Sequence, residues 1–115
     1  MVQGLRYRSR PMQPWFVYVA RCSDGTLYTG IASDVGARIA AHDAGKGARY
    51  TRGRGPLRVC AVRRCRSKGD ALRLEMAVKR LTRDRKEALI VGRRLAAFAR
   101  RVEGRSSSRA AHSST

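Results

Sequence analysis

Two short apolar runs, Trp15 to Ala20 and Leu27 to Ile31, flank Ser23-Asp24-Gly25-Thr26. Both runs are rich in aromatic and β-branched residues, and Asp24-Gly25 suits a tight hairpin turn whose central residues take positive φ. The pattern predicts strands over 15–21 and 27–31 that bring Tyr18 and Tyr28 near each other on one sheet. A Ser33-Asp34 break follows, able to cap a helix over about 34–44. On that helix Val35, Arg38, Ile39 and His42 share one face. The face should pack toward the sheet, yet half of it is Arg and His. Buried polar groups need partners, so the pair is either a snorkelling basic edge or part of a site.

Gly45-Lys46-Gly47 ends the helix and opens a Gly- and Arg-rich loop to Pro56. There Lys46, Arg49, Arg52 and Arg54 alternate with glycines and Tyr50. Glycine lets backbone approach a ligand, Arg pairs with phosphate and Tyr stacks on bases, so the loop reads as a nucleic-acid contact rather than a merely solvated segment. Alternation over 57–64 predicts a third strand with one mostly apolar face. Ser67 and Asp70 start a second helix, on which Ala71, Leu74, Val78 and Leu81 form a stripe. Glu75 borders that stripe one turn before Lys79, which joins the candidate phosphate contacts. After Thr82 one last helix is expected, with Ala88, Val91, Leu95, Phe98, Ala99 and Val102 on one face as an outer layer.

The ends lack such periods. Residues 1–14 read as a flexible basic leader, with Met12 as an alternative start, and 15–103 as the ordered domain. From Gly104 the Ser/Arg/Ala tail has nothing to bury, so 104–115 is expected to be disordered.

Length fits one domain. Charge changes the picture more: 26 Lys and Arg against 8 Asp and Glu give +18, with 22 of the basic residues Arg. A polyanion, and nucleic acid first, is the expected partner, although drift toward Arg and Ala in the source genome can add to the excess. Cys22, Cys60 and Cys65 form no framework and suit a reducing, cytoplasmic setting. Their spacing argues against structural zinc. No run is long enough for a membrane span and no apolar signal segment follows the basic start.

Phe16-Val17-Tyr18, then Tyr28-Thr29-Gly30, then Arg38 and His42, resembles the GIY-YIG nuclease domain. The segments 44–54 and Leu74 to Leu81 resemble its small stand-alone bacterial members. Both tyrosines and Gly30 are kept. Phe16-Val17 replaces Gly-Ile, Thr29 replaces Ile, and Ile31 stands where some members carry lysine.

The resemblance implies a catalytic set of Tyr18, Tyr28, Arg38, His42 and Glu75. Glu75 falls on the family's metal position and would hold one Mg²⁺ (or Mn²⁺), a cation that needs a single carboxylate plus water and phosphate oxygens. Arg38 would neutralise charge on the phosphoryl oxygens, and Tyr18, Tyr28 or His42 would serve as base. From the residues alone, an ion pair with Lys79 or Arg38 is the better account of Glu75, and strand packing that of both tyrosines.

The expected fold is an α/β (α+β) domain of order β-β-α-β-α-α, with a central three-stranded, largely antiparallel sheet flanked by helices. The expected function is a divalent-metal-dependent endonuclease acting on DNA, in repair or recombination. The chain is expected to be monomeric, with a protein partner supplying specificity. The alternatives are a basic module that binds DNA or RNA with little cleavage, and an RNA- or ribosome-associated protein.

Overall fold

A computed structural model of the chain describes residues 13–46 and 54–113, with side chains through residue 104. Its elements are β1 (Trp15–Arg21), β2 (Leu27–Ala32), α1 (Val35–Asp43), β3 (Arg58–Cys65), α2 (Lys68–Lys79), α3 (Arg83–Val91) and α4 (Leu95–Ser113). The sheet order is β2-β1-β3 and both pairings are antiparallel. It is an α+β fold, as expected.

β1 is the central strand, and its sequence shows why. Val17, Tyr18, Val19 and Ala20 are buried in succession, which happens only when both faces of a strand are covered. On one face Val17 and Val19 join Ala71, Leu74, Val78, Leu89, Leu95 and Ala99 from the helical layer. On the other, Tyr18 and Ala20 join Ala32 and Leu57, with Tyr28, Val35 and Ile39 packed against them. The sheet is therefore sandwiched between α1 on one side and α2–α4 on the other.

The β1–β2 connection departs from the tight two-residue turn. Gly25 N–H donates to Cys22 O (2.9 Å) and Cys22 N–H to Thr26 O (2.8 Å), with only Gly25 in the left-handed region (φ 87°). Asp24 keeps a negative φ because its Oδ1 accepts from the Thr26 N–H (3.1 Å) and hydroxyl (2.7 Å), which favours the longer hairpin turn. Arg21 then makes two hydrogen bonds to Glu87 (2.7 and 2.9 Å), and Arg83 bonds both Glu87 and Gly25 O (2.8 Å). This tie fastens the turn to α3.

Caps follow the sequence reading at Asp34, which accepts from Ala37 N–H, and Ser67, which accepts from Asp70 N–H. The C-terminal stretch differs. In place of one helix after Thr82 there are two, separated at Gly92–Arg94. Arg93 N–H donates to Ile90 O (3.2 Å) and Arg94 N–H to Leu89 O (2.9 Å), the paired bonds of a Schellman stop, with Arg93 left-handed at φ 52°. Val91, placed on the apolar face by the single-helix expectation, is 81% exposed. The break turns it outward. α4 continues past Gly104 as backbone helix, through residues the sequence assigned to a disordered tail.

β3 also departs in detail. A bulge between its pairings with Val19 and Ala20 breaks the strict alternation, and Val59 and Val62 are exposed.

Every acidic residue has a position of use. Asp24 faces Arg54, Asp43 Oδ1 accepts from Leu57 N–H (2.9 Å), Asp70 pairs with Arg73, Glu87 with Arg21 and Arg83, and Glu103 with Arg63. Asp34 caps α1, Glu75 pairs with Lys79, and Asp84 lies in the first turn of α3, where the helix dipole favours it.

Candidate active site around Tyr18, Tyr28 and His42

The site is built where α1 crosses the β1–β2 pair. Tyr18 stands directly opposite Gly30, and Tyr28 opposite Ala20, so both phenols share one face. Their ring centroids are 6.2 Å apart. Gly30 makes this possible: a Cβ there would lie 2.7 Å from the Tyr18 hydroxyl and 2.9 Å from a ring carbon of Tyr28. Any side chain at position 30 would displace one ring or both. Ile31 turns to the other face and packs into the core.

α1 supplies the third ring. His42 is buried at 3% exposure, its Nε2 lies 3.2 Å from the Tyr18 hydroxyl, and its ring meets Tyr28 edge-on at 5.2 Å. The polar face of α1 is thus explained at His42 by a buried partner. Arg38, one turn earlier, is exposed.

Electrostatics join these residues to two more. Burial, with a smaller push from Tyr28, raises the Tyr18 pKa well above that of a free phenol; the Arg38 charge opposes the rise and the Glu75 charge adds to it. Arg38 and Glu75 therefore both act on the Tyr18 hydroxyl. Burial, then the Arg38 charge, lowers the His42 pKa, against a small opposing effect of Asp43. At neutral pH His42 is an uncharged imidazole and can accept the Tyr18 proton.

Glu75 comes from α2, with its side chain 16% exposed and Oε2 3.3 Å from Lys79 Nζ. Among the described residues no three or more His, Cys, Asp or Glu side chains cluster as metal ligands. The arrangement offers one carboxylate. That suits a hard cation completed by water and phosphate oxygens.

The remaining expected contacts separate from this set. Lys46 is exposed just past α1, its N–H closing the helix on Ala41 O. Arg54 lies at the hairpin turn, 3.4 Å from both Asp24 and the Thr26 hydroxyl. Arg49, Tyr50 and Arg52 lie outside the described residues. One positioning residue escaped the sequence reading: Asp43, which pins the start of β3 to α1. Its signal was a carboxylate in the last turn of a helix, where the dipole disfavours it.

The family model of the GIY-YIG catalytic domain matches residues 14–88, which include every member of this cluster. The chain belongs to the GIY-YIG family. Its sequence is 51% identical over 75 residues to a UPF0213 protein of Halalkalibacterium halodurans, covering 65% of this chain and 80% of that one. It is 46% identical over 81 residues to a UPF0213 protein of Cronobacter sakazakii, covering 70% and 85%. A solution NMR structure of the UPF0213 protein from Bacillus halodurans is 49% identical, with a TM-score of 0.46, covering 68% of this chain and 83% of that one. The GIY-YIG match places the chain in a nuclease family. No helix among its described residues is long and apolar enough to cross a membrane.

Proposed function

We propose that this chain hydrolyses phosphodiester bonds in DNA where Tyr18, Tyr28 and His42 meet, with Arg38 and Glu75 acting on that set and one divalent cation as cofactor. The observation that carries the reading is the hydrogen bond between the Tyr18 hydroxyl and buried, neutral His42.

That bond gives the proton a path. The raised pKa of Tyr18 keeps it a phenol in the resting protein, so it does not act as a standing phenolate base. Instead its oxygen accepts a proton from the attacking water while its own proton passes to His42 Nε2. Tyr28 meets the imidazole edge-on and the Tyr18 ring at a tilt, and walls the imidazole from bulk water. Arg38, exposed beside the pair, binds the scissile phosphate and offsets charge gathering on its oxygens. Glu75 would hold Mg²⁺ (or Mn²⁺), which supplies Lewis-acid polarisation of the phosphate when bound. Lys79 must then release Glu75 and becomes free for a phosphate contact. Lys46, Arg54 and the segment with Arg49, Tyr50 and Arg52 would hold the flanking strand.

The family resemblance extends the proposal to repair or recombination in the cytoplasm, with the chain a monomer and a separate protein choosing the substrate. A second reading, binding of DNA or RNA without cleavage, is favoured by one observation: Glu75 already has a cationic partner in Lys79.

A cleavage assay with Mg²⁺ and Mn²⁺ on single-stranded, duplex, flap and four-way DNA and on RNA tests both. Metal-dependent cutting of DNA, lost in Tyr18→Phe and Glu75→Ala variants that keep the wild-type fold, supports the enzyme. Salt-sensitive binding without cutting, unchanged in Glu75→Ala, overturns it in favour of the binding module.

A further inference from the structure

The turn between α3 and α4 gathers three arginines around an apolar hollow. Left-handed Arg93 reverses the chain, and Gly92 leaves room for Arg94 to fold back over it: a Cβ on Gly92 would lie 3.0 Å from Arg94 Nε and 3.1 Å from its Cγ. The resulting cavity has a volume of 170 Å³. Its floor is Leu81, Leu89 and Phe98, and Arg85, Arg94 and Arg101 stand at its rim. Arg101 also lies over Phe98, with Cζ 5.8 Å from the ring centroid. Among the described residues, none of these three guanidinium groups is ion-paired to a carboxylate. A solvated basic face explains scattered arginines. It does not explain three exposed arginines lining one apolar concavity, which together offer an anion and a flat apolar group complementary surfaces at once.

We propose that this cavity is a second nucleic-acid contact, taking one unstacked base and its phosphate from a single strand, apart from the tyrosine site. The volume is below that of a typical cofactor pocket, roughly 300 Å³ or more, which argues for one base over a whole cofactor. Phe98 and the Arg101 guanidinium lying over it offer flat surfaces for that base, and the rim offers charge-assisted hydrogen bonds to its phosphate. Cavity residues Leu89, Arg94, Phe98 and Arg101 lie beyond the stretch shared with the GIY-YIG model. The contact is an addition to the nuclease domain and does not depend on cleavage there.

The test uses the full chain, ¹⁵N-labelled, in metal-free buffer so that cleavage plays no part. Adenosine monophosphate, inorganic phosphate and a short single-stranded oligonucleotide are titrated separately. The oligonucleotide, and more weakly the mononucleotide, are expected to shift the amides of Leu89, Arg94, Phe98 and Arg101. Phosphate alone should give much smaller shifts. In parallel, Arg85→Gln with Arg101→Gln should weaken oligonucleotide binding about tenfold, against about threefold or less for Arg58→Gln with Arg66→Gln, which removes the same charge elsewhere. Equal losses in the two pairs, phosphate shifts that match the nucleotide's, or mononucleotide binding without the oligonucleotide would each overturn the proposal.

Discussion

Tyr18 faces Gly30 across the β1–β2 pair, and its hydroxyl lies 2.7 Å from where a Cβ on Gly30 would be. Tyr18 is 1% exposed and cannot swing away freely. Gly30→Ala should therefore cost about 1–3 kcal/mol of stability and displace the phenol from His42. Thermal unfolding reads the first effect and the His42 ring resonances the second. An alanine variant with wild-type stability and unmoved His42 signals would show that the rings can absorb the methyl group.

His42 should titrate below 6.5 in the folded chain. Its folded pKa is depressed, so protonation favours the unfolded state, and stability from this group falls as pH drops below about 6.5. The same protonation removes the acceptor for the Tyr18 proton, so cleavage should fall on that acidic limb. Arg38→Gln should raise the His42 pKa while leaving it below 6.5, because burial is the larger cause. NMR titration of the two proteins decides it; a wild-type value at or above 6.5 contradicts the argument.

Glu87 carries the acid sensitivity of the hairpin tie. Its hydrogen bonds to Arg21, with help from Arg83, pull its pKa down to about 2 from the usual 4.5. A depressed carboxylate stabilises fully above its unfolded pKa and loses that contribution as pH falls toward the folded value. The Arg21 and Glu87 side chains are 27% and 29% exposed, so solvent screening leaves about 1–2 kcal/mol in play between pH 4.5 and 2. In Glu87→Gln, denaturant unfolding across that range should lose this part of the pH dependence. A wild-type slope in the variant would place the sensitivity elsewhere.

Arg93→Gly should stabilise the chain by about 0.5–1 kcal/mol, because a left-handed residue with a Cβ is strained by more than glycine's extra unfolded-state freedom costs. Gly45→Ala should do the opposite, since Gly45 holds the equivalent left-handed position after α1 (φ 80°). Thermal unfolding of both variants checks the pair, and a shift of the same sign in both would refute the strain argument.

These two helix stops also show what was legible in the sequence. After α1 the left-handed position is glycine, as the rule for helix ends predicts, and the boundary was visible. After α3 an arginine takes that position one residue past Gly92, so the run from Ala88 to Val102 read as one helix. β1, the α2 stripe, the Ser67 cap and a helix start capped at Ser33 or Asp34 followed from period and residue type alone. The pairing of Tyr18 with His42 did not, because it depends on α1 packing across the sheet at one register, which no local pattern encodes. Nor did the arginine cavity, which exists only through the break that the sequence concealed.

Seven of the eight carboxylates make contacts or caps within the fold and Asp84 sits at a helix start, which has a further consequence. With 26 basic groups against 8 acidic ones, the sequence carries a positive excess that its own carboxylates cannot balance. Small anions or a bound polyanion must balance that excess, so a nucleic acid held as proposed would serve as a counterion as much as a ligand. Folding and polyanion binding would then be thermodynamically linked, and the proposed partner would raise the stability of the fold.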